Sequence, residues 1–173
     1  MKNLIKICLI CCAFVSCKFN KIAIYKDIKK HVENDCDLLS DYFDQTSKCK
    51  IMLSNKIIPV NVTPFYQCID TLPLIKTITG VETFNDMNFF DLANHKQIYV
   101  NESLNLINNK YENFTIKLFC SDIISNLVTC EAVEISNFNS NNELIFGNSM
   151  LYLFYLDSNN KVNKLSLISL KNN

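Results

Sequence analysis

Arginine and tryptophan are absent from this 173-residue chain, and glycine, histidine and proline number only two, two and three. Without arginine, no guanidinium group can bind a phosphate or a carboxylate in a bidentate manner. Two glycines, Gly80 and Gly147, are too few for a loop that cradles a pyrophosphate. The formal net charge is +0, so the composition provides no basic surface for nucleic acid. Nucleotide-binding loops are therefore excluded, and nucleic acid is not an expected partner.

The chain also lacks the sequence patterns of common enzymes. Neither His31 nor His95 lies in a nucleophile elbow, a zinc-protease motif or a phosphate loop. His31 falls in a charged stretch, where a solvated side chain is the ordinary role. Two pairs of acidic residues lie close together in the sequence, Asp86 with Asp91 and Glu131 with Glu134. Such carboxylates are ordinarily solvated residues of the surface. We therefore expect no enzymatic activity, no cofactor and no metal site.

The first 17 residues are predicted to be a signal peptide. Lys2 and Lys6 form a basic start, and residues 7–15 form an unbroken apolar run. Such a run suits the core of a signal peptide and is about half of what a membrane span needs. Removal of this segment leaves 15 lysines against 17 acidic residues, a slightly acidic chain. The protein is therefore expected to be exported.

The end of this segment, Phe14-Val15-Ser16-Cys17, resembles a bacterial lipobox, in which a small residue precedes a cysteine that becomes lipidated. The Ser-Cys-Lys ending is most similar to lipoproteins of the Bacteroidetes group, with Phe14 where a lipobox normally has Leu. The resemblance implies a mature chain that begins at a diacylated Cys17 and is anchored to a membrane of the cell envelope. The alternative is an ordinary secretory signal, cleaved near Cys17, from a eukaryote or a virus.

Five cysteines follow Cys17, an odd number that leaves at least one of them without an intramolecular partner. Residues 115–120 alternate with the period of a strand, and the chain runs back from residue 127 after a turn centred on residue 125. Antiparallel pairing about that centre places Cys120 opposite Cys130, with either a disulfide or two buried thiols as the outcome. The second candidate disulfide joins two cysteines nearer the N-terminus, Cys36 and Cys49. Cys68 is then left over.

Three sequons would accept N-linked glycans if the host is eukaryotic, and they begin at Asn61, Asn101 and Asn113. The chain contains 24 asparagines, so triplets of this kind are expected by chance. The sequons therefore do not decide between a bacterial and a eukaryotic host.

Hydrophobic periodicity predicts the order of secondary structure. Apolar residues recur at helical spacing and predict one amphipathic helix from about Tyr25 to Asp44. Strand character follows at residues 50–62, broken or confined to an edge by Pro59, and short helical and strand segments are expected at 85–93 and 97–100. An apolar run at 150–156, a polar turn and a second run at 162–170 predict a closing hairpin.

This order of elements resembles the NTF2-like (SnoaL-like) family within the cystatin-like α+β group. The similarity rests on residues 28–43, on residues 115–135 and on the closing hairpin. In that hairpin, Leu151 to Val162 is similar to a frequent ending of the family, in which a hydrophobic strand is followed by Asp and then by Gly-Lys-Ile. Asn160 occupies the usual position of the glycine. The resemblance implies a curved antiparallel sheet packed on a long N-terminal helix, forming a cone that holds a small apolar ligand or serves as a homodimer face. No catalytic residue of the enzymatic members matches a position here.

We therefore expect a signal peptide with lipobox at 1–17, a tether at 18–24 and a single α+β domain at 25–173. An all-β sandwich with one helix is the alternative fold. The expected function is that of a non-enzymatic lipoprotein of the cell envelope, which binds a small ligand or a protein partner through its sheet face or a pocket. The alternative is a secreted, disulfide-containing glycoprotein of a eukaryote or virus, acting as an interaction or immune-modulating factor.

Overall fold

The structure is a computed structural model that describes residues 21–45, 49–69, 76–77, 79–95, 97–107, 113–137 and 147–171. The predicted signal peptide and lipobox, with Cys17, lie outside the described residues. Residues 21–24, which the sequence assigns to a tether, are helical, and Ile24 is buried. The folded part of the chain therefore includes the last four residues of the predicted tether.

The N-terminal helical region consists of two segments. Residues 21–33 form α1, residues 34–35 form a turn, and α2 spans Cys36–Tyr42. At the turn, the Asp35 carboxylate accepts hydrogen bonds from the Lys164 ammonium at 2.7 and 2.6 Å. Asn34 and Asp35 have low helix propensity, and the ion pair ties Asp35 to the sheet. The structure therefore does not show the single long helix that the apolar stripe predicts.

The described residues contain six strands: β1 Ile51–Ile58, β2 Tyr99–Val100, β3 Ile116–Ser121, β4 Leu127–Glu134, β5 Ser149–Leu156 and β6 Val162–Leu170. They form one mixed sheet in the order β2-β1-β3-β4-β5-β6. β1 pairs with β3 in parallel, and all other neighbouring strands are antiparallel. The fold is α+β as predicted, but the sheet is mixed rather than purely antiparallel, and it is a single sheet rather than a sandwich.

The parallel pairing arises from the long connection between β1 and β3. This crossover contains the 3-10 turn Thr63–Phe65, the one-turn helix α3 at Tyr66–Ile69, the helix α4 at Phe84–Ala93, strand β2 and the 3-10 turn Glu102–Leu106. Parallel strands require a crossover of this kind, because a tight turn can join only antiparallel neighbours. The crossover therefore brings β3 beside β1 in the same direction. Outside the crossover, another 3-10 turn, Ile135–Asn137, follows β4.

Both predicted hairpins are confirmed. In the first, Cys120 pairs with Cys130, and the turn residues Ser125 and Asn126 both have positive φ, as a two-residue hairpin turn requires. In the second, the Asp157 carboxylate accepts hydrogen bonds from backbone N–H groups inside the turn, at 2.8 and 2.9 Å. Asn160 has a φ of 60°, a conformation that asparagine tolerates better than most residues.

The sheet is buried on both sides by two separate clusters. We call the side that carries Cys130 and Tyr152 the helix face, because it packs against α1 and α2. We call the side that carries Glu131 and Leu151 the outer face, since successive residues of a strand point to opposite sides. Apolar residues of the crossover cover part of the outer face, and with the strand residues beneath them they form a second core: Val60, Val62, Phe65, Val81, Met87, Leu127, Leu151 and Leu153.

Candidate functional site

A cleft of about 380 Å³ lies on the outer face, between the end of β1 and the end of α4. Its apolar lining comes from Ile58, Pro59, Val60, Phe65, Leu92 and Leu151. Its polar lining includes Asn61, Asp91, His95, Thr129 and Glu131. Small-molecule sites are mainly apolar clefts of about 300–1,000 Å³ with a few polar groups, and this cleft falls at the lower end of that range.

Pro59 sets the position of one wall. β1 ends at Ile58, because proline has no N–H with which to continue the strand ladder. The chain then crosses toward β4, where the backbone N–H of Asn61 donates to the Thr129 hydroxyl at 3.2 Å. Residues 59–61 are thus held against the sheet and form a fixed side of the cleft.

Asp91 holds the opposite wall in place. Its carboxylate accepts hydrogen bonds from the Val62 N–H at 2.8 Å, the Thr63 N–H at 2.9 Å and the Thr63 hydroxyl at 2.6 Å. These bonds join α4 to the start of the 3-10 turn and satisfy N–H groups that have no partner within the turn itself. Both carboxylate oxygens are engaged, so Asp91 positions the helix that lines the cleft.

Glu131 is the other carboxylate of the cleft. It is partly exposed, and in the sheet it lies directly between Phe119 on β3 and Leu151 on β5. No described residue forms a hydrogen bond or an ion pair with its side chain. His95, at the end of α4, is exposed at the rim.

The acidic pairs identified in the sequence are separated by the fold. Asp91 and Glu131, which come from different pairs, line the same cleft. Asp86 closes a capping box with Thr83 at the start of α4, and these hydrogen bonds lower the pKa of Asp86. Glu134 accepts a hydrogen bond from the Gln45 amide at 3.3 Å. The expectation that all four are ordinary solvated residues is therefore wrong for Asp91. The one signal in the sequence for this cleft was the alternation of side-chain direction along β4, which places Thr129 and Glu131 on the same face of the sheet.

The helix face, where the predicted cone would hold a ligand, is filled by side chains. Tyr25, Ile28 and Tyr152 are completely buried between α1 and the sheet, and the rings of Tyr152 and Phe154 stack at 5.8 Å. His31 is partly buried with its ring 6.1 Å from that of Phe154, so it is less solvated than expected. The described cleft is thus on the side opposite to α1.

Both predicted disulfides, Cys36–Cys49 and Cys120–Cys130, are present. The first joins the start of α2 to the residues before β1, and the second is buried between β3 and β4 on the helix face. Of the cysteines in the described ranges, Cys68 is the one that forms no disulfide. Two disulfides in one small domain indicate an oxidising, extracellular environment.

The three sequons differ in their surroundings. Asn61 is exposed and lines the cleft, and Asn113 is exposed as well. The side chain of Asn101 instead caps the 3-10 turn that follows β2, because its oxygen accepts the Ser103 N–H at 3.2 Å. A glycan on Asn61 would therefore occupy the mouth of the cleft.

A polar cluster at one end of the sheet joins α1, β2 and β3. The Asp122 carboxylate binds the Lys21 ammonium at 2.5 Å and accepts the Tyr99 hydroxyl at 2.9 Å. Burial alone would raise the pKa of Asp122, but Lys21, Tyr99 and the Ile123 N–H together lower it. Nearby, the buried Tyr25 hydroxyl donates to the Ser121 carbonyl at 2.8 Å.

Within the described ranges, no group of three or more His, Cys, Asp or Glu residues is arranged to hold a metal ion. In the same part of the chain, no helix has the length and apolar character needed to cross a membrane.

No protein-family model, no curated protein and no solved structure matches this chain. The cleft must therefore be interpreted from its own geometry and chemistry.

Proposed function

We propose that the protein is an exported, non-enzymatic binding protein that holds a small apolar ligand in the cleft of the outer face. The cleft itself is the observation that carries this proposal, since its size and its mainly apolar lining match those of small-molecule sites. Its walls are fixed by Pro59 and by the hydrogen bonds of Asp91, so the site is formed before a ligand arrives. A preformed site loses less conformational entropy on binding.

The chemistry of the cleft supports binding over catalysis. A general base needs a carboxylate or an imidazole within reach of a reacting group and free to take a proton. The Asp91 oxygens already accept four short contacts from Val62 and Thr63. His95 lies at the exposed rim with no described group that orients its ring. Glu131 is free to take a proton, but no described hydroxyl, thiol or imidazole forms a hydrogen bond with it to complete a catalytic pair. We therefore propose that the cleft holds its ligand without transforming it.

We further propose a cell-envelope location through a lipid anchor on Cys17, with an NTF2-like fold for the folded part. The two disulfides support a compartment outside the cytoplasm. The order of helical segments, one strand, short helices and a final antiparallel meander from β3 to β6 supports the NTF2-like resemblance. The mass of the N-terminal peptide from native membranes tests the anchor: a diacylglyceryl or triacyl adduct on Cys17 is expected, and a bare N-terminus would refute it.

Binding of 1-octanol, followed by amide chemical shifts, tests the cleft. Shifts are expected at Val60, Leu92 and Leu151, which line it. Leu92→Gln should weaken binding about threefold to tenfold, since burial of a leucine-sized surface contributes on the order of 1 kcal/mol. Phe89→Gln is the matched control, because Phe89 lies on the same helix, is 69% exposed against 72% for Leu92, and does not line the cleft. Equal effects of the two substitutions, or shifts elsewhere, would refute the proposal.

A protein partner is the second candidate, and exposed apolar side chains beside the cleft favour it. Leu92, Ile98 and Val100 are 72%, 62% and 55% exposed. Ile98 directly precedes Tyr99, which pairs with Ile57 next to the cleft residue Ile58. Apolar groups exposed in this way are typical of contact surfaces. Sedimentation velocity tests self-association, for which concentration-dependent dimerisation that Val100→Lys abolishes is the expected result.

A further inference from the structure

We infer that the ligand of the cleft is a small apolar molecule with one primary ammonium group, and that Glu131 binds this group. The inference rests on the proposed binding function and specifies its ligand class. It comes from the contrast between the two carboxylates that line the cleft, Asp91 and Glu131.

The Asp91 carboxylate already has its hydrogen-bond donors within the protein, because N–H and hydroxyl groups of Val62 and Thr63 donate to its two oxygens. Glu131 has no such donor among the described residues, although its side chain is only partly exposed. Its cross-strand neighbours on the outer face are Phe119 and Leu151, both apolar. The ammonium of Lys117, also on β3, lies over the Phe119 ring, 5.3 Å from its centroid. A partly buried carboxylate between two apolar neighbours is stabilised when a cation or a donor pairs with it.

The position of Glu131 suits a ligand with two unlike ends. The apolar body would lie against Leu151 and Val60, and the charged end would lie at Glu131, in the same row of the sheet as Leu151. An ammonium group would add the attraction between two opposite full charges to its hydrogen bond with the carboxylate. A carboxylate in that place would be repelled by Glu131, and a hydroxyl would form only a neutral-donor hydrogen bond. The cleft therefore selects a cation over a neutral or anionic head group of the same size.

The test compares three probes that share one chain length, octylammonium, 1-octanol and octanoate, on the full chain with both disulfides formed. Octylammonium should bind about fivefold more tightly than octanol, since both donate to the carboxylate and only the ammonium adds an ion pair, which contributes on the order of 1 kcal/mol at a partly exposed site. Octanoate should bind most weakly. Amide shifts should show octylammonium and octanol at the same cleft residues.

Glu131→Gln keeps the side-chain volume and removes the charge. It should abolish the preference for octylammonium, measured as the ratio of the octylammonium affinity to the octanol affinity in the same variant. Asp41→Asn is the matched control, because it removes one negative charge from an exposed residue of α2 on the other side of the sheet. Circular dichroism of both variants checks that the fold is intact.

The possible outcomes separate the two proposals. If octanol binds in the cleft but Glu131→Gln changes no affinity, the binding function stands and the ammonium inference is overturned. If none of the three probes binds, both are overturned. If octylammonium fails to bind but a short peptide with a lysine between leucines binds at Glu131, the small-molecule inference is overturned in favour of a protein partner.

Discussion

Replacement of Asp91 should show how strongly the cleft depends on one side chain. Asp91 is partly buried and connects α4 to residues 62–63 through two backbone N–H groups and one hydroxyl. Asp91→Ala removes all of these acceptors at once. It leaves the N–H groups of Val62, whose side chain is 1% exposed, and of Thr63 without their partner.

The expected cost follows from these contacts. Each hydrogen bond to a charged acceptor contributes about 1.5–3 kcal/mol, but contacts that share one carboxylate are not additive. The site is also partly exposed, which allows water to replace some of the lost partners. We therefore expect Asp91→Ala to lower the free energy of unfolding by about 3 kcal/mol and Asp91→Asn, which retains one acceptor oxygen, by about 1–2 kcal/mol.

Urea denaturation followed by circular dichroism measures the effect. With a slope of about 2 kcal/mol per molar urea, the midpoint should fall by about 1.5 M for Asp91→Ala. The same variant should lose octanol binding, because the wall that carries Leu92 is no longer fixed. Asp37→Ala, an exposed substitution on α2, is the control for loss of one negative charge. An unfolding midpoint of Asp91→Ala equal to that of the control would refute the assignment of Asp91 as the residue that fixes this wall.

Three further predictions concern stability. Replacing both Cys36 and Cys49 with Ser should cost about 3 kcal/mol by loop entropy at a sequence separation of 13, and an unchanged urea midpoint would mean that this disulfide does not form. Tyr25→Phe should cost about 1–2 kcal/mol, because its hydroxyl donates to the Ser121 carbonyl. Tyr152→Phe should cost less than about 1 kcal/mol, because among the described residues its buried hydroxyl has only the nearby Asp35 carboxylate, without a hydrogen bond of good geometry. Thermal unfolding in which Tyr152→Phe is the worse variant would contradict this. The pKa of Asp122 is lower in the folded state than its unfolded-state value near 4, so ionised Asp122 stabilises the fold above about pH 4, and this stability is lost as the pH falls through the folded-state pKa. Asp122→Asn should therefore flatten the fall of the melting temperature below about pH 4. Parallel melting-temperature profiles of the variant and the unmodified protein would refute this.

The sequence predicted those elements whose causes are local. The closing hairpin follows from Asp157 and Asn160, residues that form turns by themselves, between two apolar runs. The pairing of Cys120 with Cys130 was predicted from a turn centred on residue 125. The turn itself pairs Ile124 with Leu127, so one extra residue on the β3 side lies between the turn and this pair. Helix α4 lies within a residue of its expected start, and its capping box is a short-range signal.

The sequence did not predict features that depend on distant partners. The break between α1 and α2 involves Asp35 and Lys164, which are 129 residues apart. The parallel pairing of β1 with β3 depends on the path of the whole crossover, which hydrophobic periodicity does not determine. The cleft was missed for the same reason, since Asp91 acts on residues 28 and 29 positions earlier and Glu131 comes from another strand.

Whether Asn61 carries a glycan depends on the host and affects the function of the cleft. Its backbone is fixed by Thr129, its side chain is exposed, and it lines the cleft. In a bacterial envelope, where Cys17 would be lipidated and Asn61 bare, the cleft stays open to a small ligand. In a eukaryotic secretory pathway an occupied Asn61 would place a bulky, hydrated glycan at the mouth. A glycan at Asn61 would therefore hinder entry of a ligand, and a glycoprotein of this sequence would have the apolar surface around Ile98 and Val100 as its other contact site.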